Sequence, residues 1–235
     1  MNPYLFGIKR FHIFAENFSM KYEAVLFDFD YTLADSSKGI VTCFQQVLKR
    51  NGYADVADET IKRTIGKTLE NSFSILTGVT DADQLEAWRK EYVNEANTYM
   101  TVNTFIYPGA LAVLEYLKEQ GLKVGIISTK YRFRILEFFE HYLSPEWFDV
   151  IVGGEDVTKH KPDPQGVSIA LERLGVSPSQ VLYVGDSVVD GETAVNSGTA
   201  FIGVTTGMTS RDELAGFPHI GIVQELKEMI PLIHK

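Results

Sequence analysis

The chain has 235 residues, 45% of them hydrophobic and 23% charged, enough for one sizeable core or for a core with a smaller second unit. Its net charge is −9, from 22 basic and 31 acidic residues, and diffuse acidity lacks the electrostatic footprint of a nucleic-acid or anionic-membrane binder. No apolar run approaches the ~20 residues of a membrane span, and the single cysteine, Cys43, excludes an intrachain disulfide, which fits a reducing, cytoplasmic setting.

Residues 1–20 are rich in aromatics and interrupted by Lys9, Arg10 and Glu16, without the unbroken apolar stretch of a signal peptide. With Met20 just ahead of the first convincing strand, they read as an N-terminal extension that the fold does not need. The short apolar run 22–29 predicts a strand. Residues 38–49 have helical spacing, end near Gly52, and place Cys43 on an apolar face as a core residue. Helical stretches at about 58–65, 68–76 and 82–100 follow with no good strand among them. Trp88, Tyr92 and Tyr99 recur there at helical spacing and read as packing. Pro108 is placed to open a helix as a first-turn proline, and Gly121 to close it. Strands then recur at 123–127, 148–152, 180–184, 200–204 and 220–223. Helices alternate with them at about 131–142, 164–174, 189–197 and 211–215.

Strands alternating with helices predict an α/β fold with a doubly wound parallel sheet. The runs 123–127 and 181–184 are almost wholly apolar, as expected for strands buried on both faces. The core is assigned to 21–34 and 104–235. The helical interval 35–103, placed after the first strand, reads as an inserted all-helical cap.

In such a sheet ligands bind at the carboxyl ends of the strands, so the residues that follow each strand carry the chemistry. Asp28-Phe29-Asp30-Tyr31-Thr32-Leu33 follows the first, and Ser128, Thr129 and Lys130 the second. Lys161-Pro162-Asp163-Pro164 lies beyond the third, and Gly185, Asp186, Ser187 and Asp190 follow the fourth. Asp28 and Asp30 are one residue apart and face one way in extended chain. Asp186 and Asp190 are four apart at a helix start. Acids this close repel by about 4 kcal/mol at ~4 Å and intermediate dielectric, so they call for a cation or a shared proton. Oxygen donors without histidine or cysteine suit Mg²⁺ better than zinc. A phosphoryl group wants a metal, a cation and donors around its oxygens. Lys161, the Ser128 hydroxyl and the amides of residues 29–31 and Thr129 could supply the last two. A carboxylate can then serve as nucleophile, and a second as acid and base.

The four segments, with Ser128 inside Ile126-Ile127-Ser128-Thr129-Lys130 and the last running Gly185-Asp186-Ser187-Val188-Val189-Asp190, resemble the motifs of the haloacid dehalogenase superfamily. The resemblance spans residues 22 to about 207 and points to the phosphoglycolate phosphatase-like branch. It implies strand order 5-4-1-2-3, and Asp28 as nucleophile with Asp30 as general acid and base. It also implies phosphate binding by Ser128, Thr129 and Lys161, and Mg²⁺ held by Asp28, the Asp30 carbonyl and Asp186, with Asp190 in support. The implied activity is hydrolysis of a small phosphorylated metabolite, phosphoglycolate first, by a cytoplasmic monomer or homodimer with no nucleic-acid or membrane partner. One departure is Tyr31, where the family usually has glycine.

Other readings stay open. A sugar phosphomutase of the same branch would use the same motifs, an inorganic pyrophosphatase is a further alternative, and a phosphate-binding module would need no second carboxylate. Asp190 also reads as a first-turn acid, Glu155 and Asp156 as outer metal ligands or loop acids, and His160 as a loop histidine. Arg63, Gly66 and Lys67 lie between two predicted helices, as substrate contacts from the cap or as ordinary helix-end residues.

Overall fold

A computed structural model describes residues 20–140 and 147–234. The extension expected over 1–20 lies, but for Met20, outside the described residues. In chain order the described strands are β1 (Ala24–Phe27), β2 (Ala34–Asp35), β3 (Phe105–Ile106), β4 (Lys123–Ile127), β5 (Val150–Val152), β6 (Val181–Gly185), β7 (Ala200–Val204) and β8 (Gly221–Val223). The described helices are α1 (Ser37–Arg50), α2 (Asp58–Lys62), α3 (Leu69–Thr77), α4 (Ala82–Tyr99), α5 (Ala110–Glu119), α6 (Arg132–Phe139), α7 (Gln165–Leu174), α8 (Val188–Ser197) and α9 (Arg211–Ala215).

Six strands form one parallel sheet in the order β5-β4-β1-β6-β7-β8. This is the implied order with the strand at the chain's end added beyond β7. Alternate residues of each strand feed opposite faces. Val25, Phe27, Val124, Ile126, Leu182 and Val184 pack under α5 and α6. Ala24, Leu26, Ile127, Val181 and Tyr183 pack under α7, α8 and α9. Two buried faces explain why these strands read as unbroken apolar runs.

Helices α1 to α4 bury a third cluster of their own, built on Phe44, Val47, Phe73, Trp88 and Tyr92. The Phe44, Phe73 and Tyr92 rings are mutual neighbours, 4.7 to 6.4 Å between centroids, so Trp88 and Tyr92 are packing residues. Cys43 is fully buried there, and burial pushes its thiol up to about 12.

Two local expectations need correction. Pro108 does not sit in the first turn of α5: the helix begins at Ala110, capped by Gly109 at φ 85°, so the proline precedes the cap. The strand expected over 22–29 is confined to Ala24–Phe27 because the chain turns sharply at Phe29, whose carbonyl accepts from Leu33 N and Ala34 N. The pair β2 and β3, antiparallel with Ala34 opposite Ile106, was not anticipated. It joins the two ends of the helical segment beside the turn that follows β1.

Candidate active site

The central place of β1 decides what meets what. The Asp28 amide donates to the Val184 carbonyl at 2.9 Å, which sets residue 28 beside the end of β6 and hence beside Asp186. On the other side β4 ends at Ser128, Thr129 and Lys130. Lys161 enters from the loop before α7 and places Nζ 2.9 Å from Asp28 Oδ1 and 2.7 Å from Asp190 Oδ1. The Asp28 contact is an ion pair off the hydrogen-bonding direction, since Oδ1 accepts no hydrogen bond among the described residues. Carboxylate oxygens of Asp28, Asp186 and Asp190 lie within 4.8 Å of one another, all three residues buried.

Three acids around one lysine are unbalanced. Burial pushes the Asp28 carboxyl up to about 7; Lys161 opposes this, and the Asp190 and Asp30 charges add to it. Burial likewise holds Asp186 well above the usual carboxylate range, with repulsion from Asp190 and Asp28 behind it. Burial works against a charged Lys161, but Asp190 and Asp28 outweigh it and hold the ammonium above its ordinary range.

Asp190 is already fully engaged. Its Oδ1 accepts from Lys161 and from the Tyr183 hydroxyl, and its Oδ2 from the amide and hydroxyl of Ser187. Ser187 caps α8 in return. The first-turn acid and the supporting residue are therefore the same group in two roles. Asp28 and Asp186 remain with oxygen capacity, and among the described residues the Asp186 carboxylate accepts only from the Thr32 hydroxyl, at 3.2 Å. The Asp186 carboxylate is held against the backbone of Gly207, where a Cβ would fall 1.8 Å from Oδ2 and only glycine fits. Buried oxygen donors with excess negative charge suit a hard divalent cation, which would relieve the repulsion of about 3 kcal/mol expected between charges near 5 Å at intermediate dielectric.

Asp30 is turned away from this group. Lys130 Nζ holds both its oxygens, at 2.9 and 3.1 Å, with the two side chains 8% and 9% exposed, and the Ser36 hydroxyl donates to Oδ1. Sequence reasoning gave Lys130 no role, although its place after Ser128-Thr129 at a strand end was the available signal. The Ser128 hydroxyl accepts from the Lys130 amide at 3.3 Å. The Tyr31 amide is spent on the Ala34 carbonyl and so drops out of the expected phosphate cradle. Tyr31 itself stands at φ 62°, the left-handed region that costs a non-glycine residue about 1 kcal/mol or more. The family's glycine at this point is therefore a backbone requirement, which tyrosine meets under strain.

The loop between α2 and α3 closes over these groups. Gly66, at φ 95°, accepts from the Thr129 hydroxyl at 3.2 Å. Arg63 and Lys67 are exposed and line a cleft of about 160 Å³ with Tyr31, Asp186 and Ser187. Glu155 and Asp156 are loop acids: Glu155 accepts from the Arg132 amide at the start of α6, and Asp156 from the Gly153 amide and the Arg132 guanidinium.

The model of the haloacid dehalogenase-like hydrolases matches residues 25–204. A phosphoglycolate phosphatase of Nitrosospira multiformis is 30% identical over 224 residues, 93% of this chain and 99% of that protein. The pyrophosphatase PpaX of Bacillus mycoides is 26% identical over 216 residues, 92% of this chain and 99% of that one. A crystal structure of a candidate haloacid dehalogenase-like hydrolase from Bacteroides fragilis superposes with a TM-score of 0.88 at 58% identity. It covers 89% of this chain and 100% of that one.

Proposed function

The chain belongs to the haloacid dehalogenase-like hydrolase family, and from that premise we propose that it is a phosphatase that hydrolyses a small phosphate monoester with Mg²⁺, using Asp28 as nucleophile. The observation that carries the reading is the buried contact of Asp28 with Lys161, 2.9 Å apart at the end of the central strand, with Asp186 within 4.8 Å. It sets a carboxylate, an ammonium and a cation site around one point, as phosphoryl transfer requires.

In the proposed reaction an Asp28 oxygen attacks phosphorus and the bond from phosphorus to the ester oxygen breaks. Asp30 delivers its proton to that oxygen, leaving an aspartyl-phosphate on Asp28. Asp30 then takes a proton from water, the water oxygen attacks phosphorus, and the Asp28 carboxylate is released with inorganic phosphate. Lys161, Ser128 and Thr129 hold the phosphoryl oxygens, and Asp190 keeps Lys161 aimed. Asp28, the Asp30 carbonyl and Asp186 would hold Mg²⁺, which when bound would supply positive charge against the charge that develops on phosphoryl oxygen. The setting proposed is cytoplasmic, with the protein a monomer or homodimer free of nucleic-acid or membrane partners. Among the described residues no helix is long and apolar enough to cross a membrane.

The relatives include a phosphoglycolate phosphatase and a pyrophosphatase. The test is phosphate release from p-nitrophenyl phosphate. Release is expected with Mg²⁺, none in excess chelator, and a loss of roughly 10³-fold or more in Asp28→Asn. Comparable turnover by Asp28→Asn and the parent would refute the nucleophile.

A further inference from the structure

Between α1, α3 and α4 and the carboxyl edge of the sheet lies a cavity of about 330 Å³. Asp30, Thr129 and Lys130 close it on the sheet side, and Phe44, Tyr92 and Met100 on the helical side. A leaving group protonated by Asp30 therefore occupies this space. Even at the roughly 30 Å³ that a water takes in the liquid, the cavity has room for about eleven water-sized groups or more. Glycolate, with about five non-hydrogen atoms, would fill less than half of it.

Charge on the wall is cancelled from within. Four cationic side chains reach it: Lys67, Arg89, Lys130 and Arg134. Arg89 is paired with Glu86 at 2.6 Å and Glu70 at 3.4 Å, Lys130 with Asp30 at 2.9 Å, and Arg134 with Glu137 at 2.7 Å. Lys67 has no carboxylate partner among the described residues, but it is exposed to water. A carboxylate or a second phosphate in the leaving group would thus meet no unspent buried cation, and it would face Glu70 and Glu155. No buried unpaired lysine or arginine among the described lining residues compensates its lost hydration. Ile40, Phe44, Val93, Ala96 and Met100 form an apolar part of the lining that gains from apolar contact, beside hydroxyls such as those of Thr64 and Ser72.

Resting on the phosphatase reading above, we infer that the leaving group is an uncharged alcohol of roughly eight or more non-hydrogen atoms with an apolar face. Its ester oxygen lies toward Asp30 and its apolar part against Phe44 and Met100. The bond changes are those of the hydrolysis already given, with alcohol and inorganic phosphate as products. Phosphoglycolate and pyrophosphate are then poor substrates.

The test is kcat/KM of the full chain with Mg²⁺ for 2-phenylethyl phosphate, ethyl phosphate, phosphoglycolate, glucose 6-phosphate and pyrophosphate. Ethyl phosphate matches phosphoglycolate in carbon number but lacks the carboxylate, which separates charge from size. Each buried methylene is worth roughly a fourfold factor. With three to four methylene equivalents buried, 2-phenylethyl phosphate should exceed ethyl phosphate about 100-fold, and ethyl phosphate should at least equal phosphoglycolate. A lead for 2-phenylethyl phosphate below about tenfold, or any other compound in first place, would overturn the inference and leave the phosphatase reading standing. Phosphate released from none of them, p-nitrophenyl phosphate included, would remove both.

Discussion

Replacing Lys161 by methionine tests the electrostatics of the site without touching a carboxylate. The ammonium sits 2.9 Å from Asp28 and 2.7 Å from Asp190, and the three side chains are 4%, 3% and 0% exposed. Each contact is worth about 6 kcal/mol of gross attraction at an effective dielectric of ~20. Burying the ammonium offsets much of that. What decides the outcome is the pair of buried carboxylates left behind, and breaking a buried pair costs about 3–5 kcal/mol. For a chain of this length that lowers Tm by roughly 6–20 °C. The cost should depend on pH. Asp28, held at about 7, binds a proton in the folded chain that the unfolded chain has released, so stability falls as pH rises from the ordinary carboxylate range toward 7. Lys161 pulls that value down, so its loss extends the fall above 7. Urea melts in chelator at pH 5 and 8.5, followed by tryptophan fluorescence, should show the larger loss at pH 8.5. A loss under about 1 kcal/mol at pH 8.5, or a larger loss at pH 5, would refute the reasoning.

Asp28→Asn removes a carboxyl that burial keeps near 7. In chelator the variant should therefore melt higher than the parent at pH 8 and match it near pH 4; a lower Tm at pH 8 counts against the shift. Asp30→Asn should slow an alkyl phosphate by ~10²–10⁴-fold and p-nitrophenyl phosphate much less, with a burst as aspartyl-phosphate accumulates. Small, equal effects and no burst would leave Asp30 only its carbonyl. At Tyr31, φ 62° reverses the usual order of glycine and alanine: Tyr31→Gly should be about 1 kcal/mol more stable than Tyr31→Ala in thermal melts. The opposite order would mean that the turn relaxes.

The sequence by itself determined the alternation of strands and helices and the strand ends from which the chemistry projects. Burial on both faces leaves unbroken apolar runs, and helical burial leaves a 3.6-residue period, so both patterns lie along the chain. Asp28, Asp30, Lys161 and Asp186 were legible because each follows such a run. Partners were not legible, since a one-dimensional pattern records that a residue is buried but not what it meets. Only the fold brings Lys130 to Asp30 across 100 residues and Lys161 to Asp190 across 29. The strands β2 and β3 are two residues each, too short for an alternation to show, and their pairing is a tertiary event. Glu155 became a loop acid because the start of α6 came within reach of its carboxylate. The tertiary structure also decided the charge balance of the cavity: packing set Lys130 2.9 Å from Asp30 and brought Arg89 of α4 to 3.4 Å from Glu70 of α3.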